Sequence, residues 1–246
     1  MNPDKKLKVA ALVTARGNNT LEHKHLLLVK GKPLVWYPIE AVKNSPSIGK
    51  IYISSDDEEI LRIGKEEGCG VIKRPEELSR PTSQHVDAII HALKVMKEED
   101  GYEPDILVVA LGNSVNFKPE WVEESVKILE ENEEISSVIP VYNENNHHPY
   151  RAKKIDENGY LQPYFDFSSQ KISTNRQDLP GNYFCCHNFW TLRVAKSVME
   201  KDGQPPWTFM GKRIKPLVIE EGPDVHNEED IKKCEEWIDN SCLLVK

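Results

Sequence analysis

Arg16 and Lys24 bracket a short polar loop that follows an apolar run ending in Thr14, and the segment closes on Gly31, Lys32, Pro33 and Leu34. A buried strand that delivers two cations and a glycine backbone is the anatomy of a phosphate-binding corner, because side-chain charge and backbone N–H groups together hold polyphosphate oxygens. The candidates there are Ala15, Arg16, Gly17, Asn18 and Lys24. The adjacent thiols Cys185 and Cys186, followed by His187, raise a nucleophile or a zinc site, but no ligand set of suitable spacing surrounds them. The other cysteines, Cys69, Cys234 and Cys242, complete no CxxC pair, so all five read as structural thiols.

The elements that must position these residues follow from periodicity. Apolar runs at 8–14, 48–54, 70–73, 106–111 and 136–142 read as strands, and amphipathic stretches at 33–44, 58–68, 84–99 and 119–132 read as the helices between them. That alternation is the pattern of an α/β sheet. Ser55-Asp56-Asp57-Glu58-Glu59 reads as a strand tip running into an acid-capped helix. Residues 143–180 are polar and turn-rich, with a hairpin expected around Asn158 and Gly159 and no core of their own. A late strand at 215–220 and a closing helix at 228–239, with Ile231, Cys234 and Ile238 on one face, end the chain.

With 246 residues, 39% hydrophobic and 29% charged, the composition is that of one globular domain over 1–246. A formal charge of -8 argues against a general nucleic-acid binder, and no run has the length and apolarity of a signal peptide or a membrane span, so the expectation is a cytoplasmic protein with no membrane partner.

Ala15-Arg16-Gly17, then Lys24, then Gly31-Lys32-Pro33-Leu34 closely resembles the opening of the sugar cytidylyltransferases, which activate sialic acid and Kdo as CMP-sugars. The resemblance continues through Ile51-Tyr52-Ile53-Ser54-Ser55-Asp56 and through Arg74-Pro75-Glu76-Glu77-Leu78 with Thr82. It also includes His147-His148-Pro149-Tyr150 and Arg176-Gln177-Asp178-Leu179-Pro180. It implies a Rossmann-like nucleotide-diphospho-sugar transferase fold, with a mixed central sheet and helices on both faces. It implies a homodimer packed through the projecting segment 143–180.

By the same resemblance, Arg16 and Lys24 contact the triphosphate of CTP and Arg74 lies near the cytosine. Thr82, Gly112 and Asn113 complete the nucleotide side. Ser114, His148, Tyr150, Arg176 and Gln177 face the acceptor, and Asp224 with His226 holds Mg2+. The chain departs from the family at several of these positions. His25 stands where the family has Asn, and Asn113 falls where the Kdo branch has a metal-binding Asp. The family's Asp-x-Asp before the last helix becomes Asp224-Val225-His226, with Glu221 and Glu228 as neighbouring anions. The expected reaction couples CTP to a 2-keto-sugar acid with release of pyrophosphate. Two other readings stay open: a cytidylyltransferase for a different acid such as a phosphonate, and a non-catalytic nucleotide-binding homologue.

Overall fold

A computed structural model describes residues 6–17, 21–144, 146–168, 171–200 and 202–241. Asn18, one of the expected nucleotide-site residues, and Cys242 lie outside the described residues. The chain runs β1 (Val9–Thr14), β2 (Leu28–Val29), β3 (Lys32–Pro33), α1 (Trp36–Lys43), β4 (Lys50–Ser55), α2 (Glu58–Glu66) and β5 (Gly70–Lys73). It continues with α3 (His85–Asp100), β6 (Ile106–Leu111), α4 (Pro119–Glu131), β7 (Ser137–Asn143), β8 (Lys153–Ile155) and β9 (Leu161–Pro163). It ends with β10 (Tyr183–Cys185), β11 (Phe189–Arg193), β12 (Ile214–Val218) and α5 (Glu229–Ser241).

Among the described residues, eight strands form one mixed sheet. β1 lies at its centre, parallel to β4 on one edge and to β6 on the other, and β5 extends the sheet beyond β4. All six residues of β1 and of β6 are buried, as strands covered on both faces must be. One apolar layer joins Val13, Ile39, Val108 and Val126 beneath α1 and α4. The opposite layer joins Leu12, Ile89, Met96 and Val109 beneath α3. A third cluster, with Val29, Leu34, Val225, Cys234 and Ile238, fastens α5 to the β2–β3 hairpin.

The acid-capped helix is present: the Asp57 carboxylate accepts from the N–H groups of Glu59 and Ile60 at the start of α2. The hairpin expected around Asn158-Gly159 is the β8–β9 pair. Two expectations are corrected. The helix read over 33–44 begins at Trp36, because Lys32 and Pro33 pair with β2 instead. Lys30 and Gly31 both take positive φ, 47° and 74°, which is what a two-residue type I′ hairpin turn demands.

The second correction concerns residues 183–193, to which periodicity assigned no strand. β11 is buried throughout and inserts antiparallel between β6 and β7, while β10 pairs with the far end of β7. The run is five residues long and ends in Arg193, so its local signal is short and polar at one end. Arg193 is accommodated because its guanidinium donates to the carbonyls of Leu129, Asn132 and Ile135 at the carboxyl end of α4.

Candidate active site

The chain leaves β1 for β4 and β5 on one side and returns through β6 on the other. Such a reversal opens a crevice beyond the carboxyl ends of the strands, where ligands of open α/β sheets bind. A cavity of about 370 Å³ occupies that position, lined by Arg16 after β1, Lys24 after the first loop, Arg74 after β5 and Asn113 after β6.

Each cation is held by its surroundings. Arg16 donates from Nη1 to the Arg80 carbonyl at 3.0 Å, which ties the first loop to the loop that precedes α3. The N–H of Gly17 donates to Asp56 Oδ1 at 2.9 Å, so the loop is also anchored to the end of β4. Lys24 has a side chain only 13% exposed and stands 4.0 Å from Asp224; burial holds its ammonium below the usual lysine range, against the opposing pull of Asp224 and Asp230. Arg74 is buried, donating from Nε to Ser54 Oγ at 3.2 Å and from Nη2 to the Ser54 carbonyl at 2.8 Å. Its burial pushes its pKa down to about 10.

Two histidines join this cavity that the nucleotide-site reading did not include. His25 is buried and His85 meets Thr14 Oγ1 at 2.9 Å through Nε2. Burial first, and then the neighbouring cations, push both down to about 4, so both are neutral at pH 7. His25 was visible in the sequence as a departure from the family's Asn. His85 carried no local signal beyond its place at the start of a helix. Gly112 donates its N–H to the Thr14 carbonyl at 2.9 Å, and a Cβ there would lie 2.8 Å from the Ala15 Cβ. This is why β6 turns on glycine so close to the first loop.

A second cavity of about 400 Å³ is lined by Ser114, Cys186, His187, Asp224 and His226, among others. It adjoins the first at one contact: the Asn113 carboxamide donates to Asp224 Oδ1 at 2.5 Å. The Asp224 loop is pinned by an antiparallel bridge to Ser114, by the buried Val225, and by Asp230, whose carboxylate accepts from the N–H groups of His226 and Asn227. His226 is exposed and lies 3.3 Å from Asp224. The thiols are not activated, since burial raises Cys185 and pushes Cys186 up to about 12.

Not every expected residue reaches these cavities. Thr82 is exposed and lines neither, its place being taken by Pro81, Ser83 and Gln84. His148 is buried with both ring nitrogens engaged by backbone, Nδ1 accepting from Tyr150 N–H and Nε2 donating to the Pro180 carbonyl. Tyr150 packs against Phe165 and Phe167, Arg176 donates to Asn146 Oδ1, and Gln177 is exposed. Within one chain these four residues stand apart from both cavities.

A divalent cation is implied by the resemblance, and the donor set here bears on it. Among the described residues no three His, Cys, Asp or Glu side chains form a cluster suited to a metal. Asp224 and the Asn113 carboxamide nevertheless meet at the junction of the two cavities. Magnesium usually keeps several waters and takes one or two carboxylates plus substrate phosphates, so this pair fits an ion carried in with a nucleotide rather than one caged by protein.

Several known proteins are similar to this chain. N-acylneuraminate cytidylyltransferase of Escherichia coli is 31% identical over 96 residues, covering 39% of this chain and 23% of that protein. CMP-N,N'-diacetyllegionaminic acid synthase of Legionella pneumophila is 24% identical over 216 residues, covering 87% of each. The chain spans less than half the length of the neuraminate relatives it matches. In fold it is similar to a CMP:2-keto-3-deoxy-manno-octonic acid synthetase solved in complex with CTP, with a TM-score of 0.67, 16% identity, and coverage of 95% of this chain and 99% of that one. The cytidylyltransferase family profile matches residues 10–185, well over half of the sequence, and the chain belongs to that family.

Proposed function

We propose that this protein transfers the cytidylyl group of CTP to a 2-keto-sugar acid, releasing pyrophosphate. The observation that carries the reading is the convergence of Arg16, Lys24 and Arg74 in one cleft at the switch point of the sheet, bounded by the Asn113–Asp224 pair. The names of the neuraminate and legionaminate relatives support an acidic sugar as acceptor.

In this reading CTP lies along the first cavity with its base toward Arg74 and its phosphates toward Arg16 and Lys24. The acceptor occupies the second cavity. Its anomeric hydroxyl attacks the α-phosphorus, the bond to the bridging oxygen of pyrophosphate breaks, and the hydroxyl proton passes to water. Arg16 and Lys24 neutralise the charge that grows on the leaving group, the main demand of phosphoryl-type transfer. Asp224, with Asn113, would hold Mg2+, which would supply further neutralisation of the phosphate oxygens. His226 lies beside this pair, 3.3 Å from Asp224.

We also propose a homodimer in which segment 143–180 projects from the single domain. Ile155, Tyr160 and Leu161 on and beside the β8–β9 hairpin are exposed by 72%, 69% and 69%, an apolar surface suited to a second copy. His148, Tyr150, Arg176 and Gln177 would then serve the acceptor side of the partner. Because CTP is an intracellular nucleotide, a cytoplasmic location belongs to the same reading.

The test is pyrophosphate release from CTP with a panel of 2-keto-sugar acids in magnesium. Release that depends on one of these acids supports the reading. Release with none of them, in a protein that still binds CTP, sinks it in favour of a non-catalytic homologue or a different acid.

A further inference from the structure

His85 opens α3 and lines the first cavity beside Arg74. Its Nε2 sits 2.9 Å from Thr14 Oγ1, and that hydroxyl has the Ala110 carbonyl as its other neighbour, at 3.5 Å. A threonine hydroxyl owns one proton. Donated toward Ala110, it leaves the oxygen to accept from Nε2–H, which puts the bare lone pair of a neutral imidazole on Nδ1. Neutrality is imposed by burial and by the charges of Arg74 and Arg16, which push the ring down to about 4. Trp190 packs edge-on against the ring with centroids 5.0 Å apart, which limits its reorientation. Among the described residues Nδ1 has no hydrogen-bond partner, and it is not among the buried atoms sealed without one.

Across the same end of the cleft Arg74 spends Nε and Nη2 on Ser54, and its Nη1 has no protein partner among the described residues. Leu78, Ala88 and Leu111 supply apolar walls. With the Thr14 proton directed to Ala110, the cavity offers a flat aromatic ligand a donor at Arg74 Nη1 and an acceptor at His85 Nδ1. The pyrimidine edge of cytosine presents acceptors at O2 and N3 and a donor at the exocyclic amine. Uracil presents an oxygen acceptor in place of that amine.

We propose that His85 is a specificity-determining residue for the nucleobase, its Nδ1 accepting a hydrogen bond from the exocyclic amine of cytosine. The assignment rests on the reading of this cleft as the CTP site. Uracil sets its carbonyl oxygen against the Nδ1 lone pair, leaving two acceptors facing each other in a partly buried site. Sites built to hydrogen-bond one group reject an analogue that lacks it, here by roughly ten-fold or more.

Binding of CTP and of UTP to the full chain is measured by calorimetry for the wild type, His85→Gln, His85→Asn and Thr14→Val. Glutamine keeps an amide near the Nε2 position and the Thr14 contact but offers no acceptor where Nδ1 stood; asparagine places a carbonyl oxygen near Nδ1. The expected result is a CTP preference of roughly ten-fold or more in the wild type, collapse toward equality in His85→Gln, and retention of most of the preference in His85→Asn. Thr14→Val, which frees the tautomer, lowers the preference as well and serves if a His85 variant fails to fold. An unchanged CTP-to-UTP ratio in His85→Gln, or equal loss of preference in the Gln and Asn variants, overturns the assignment while leaving the CTP site intact. If the wild type itself shows no preference for CTP, both the assignment and the CTP reading fall.

Discussion

The carboxamide of Asn113 and the carboxylate of Asp224 are hydrogen-bonded at 2.5 Å across 111 positions of sequence, joining the loop after β6 to the loop before α5. The same Asp224 stands 4.0 Å from Lys24, so one carboxylate touches both the first loop and the end of β6. Without a nucleotide, an amide here satisfies the acid that a second carboxylate would repel.

Asn113→Asp therefore places two like charges in contact. The expected outcome is a loss of about 1 kcal/mol of stability in metal-free buffer, recovered on adding magnesium. Thermal melts with and without the ion check this, and a variant as stable as the wild type in chelator contradicts it. Asp224→Ala is expected to abolish pyrophosphate release while the fold persists, since Val225 and Asp230 still hold the loop.

Arg16→Ala removes the guanidinium that the proposed function sets against the triphosphate, from a loop that is otherwise anchored through Gly17 and Asp56. CTP affinity is expected to fall by about 1.5–3 kcal/mol, the worth of a charge-assisted hydrogen bond, with a much smaller change in melting temperature. Calorimetric titration with CTP decides it.

Arg193 has the opposite character, a buried cation outside the two cavities of the candidate site. Its guanidinium satisfies three carbonyls at the end of α4. Arg193→Leu is expected to cost about 2–4 kcal/mol in urea denaturation, because those buried and part-buried carbonyls lose their donors. CTP binding to the folded fraction should remain unchanged.

The two neutral histidines set a pH dependence. His25 and His85 are held at about 4 in the fold against an ordinary value of 6.5. Above 6.5 both states are neutral and neither ring affects stability. As pH falls from 6.5 toward 4, the unfolded chain takes up protons that the fold refuses, so stability falls through this window. Melting temperature against pH should be flat above 6.5 and decline below it, and His85→Asn should shallow that decline. An equally steep decline in that variant assigns the effect to other groups.

The sequence by itself determined most of the scaffold. Strands such as Ile106–Leu111 and Gly70–Lys73 are short apolar runs between turn residues, and the start of α2 is written in the Asp57 cap and the acids beside it. These signals are local, so periodicity and capping reveal them. The cations of the cleft were legible too, because Arg16 and Arg74 each lie just beyond an apolar run, where the carboxyl ends of a parallel sheet gather, and Lys24 closes the polar loop that follows Arg16.

Only the tertiary structure decided the rest. β11 is a strand because β6 and β7 leave an antiparallel slot for it, and Arg193 is tolerated at its end because α4 finishes where its guanidinium can reach. The pairing of Asn113 with Asp224 and of Thr14 with His85 depends on separations of 111 and 71 residues. No local pattern encodes a contact over such distances. Burial converts His25 and His85 from ordinary titrating rings into neutral ones, and that desolvation exists only once the sheet, α3 and the first loop close over them.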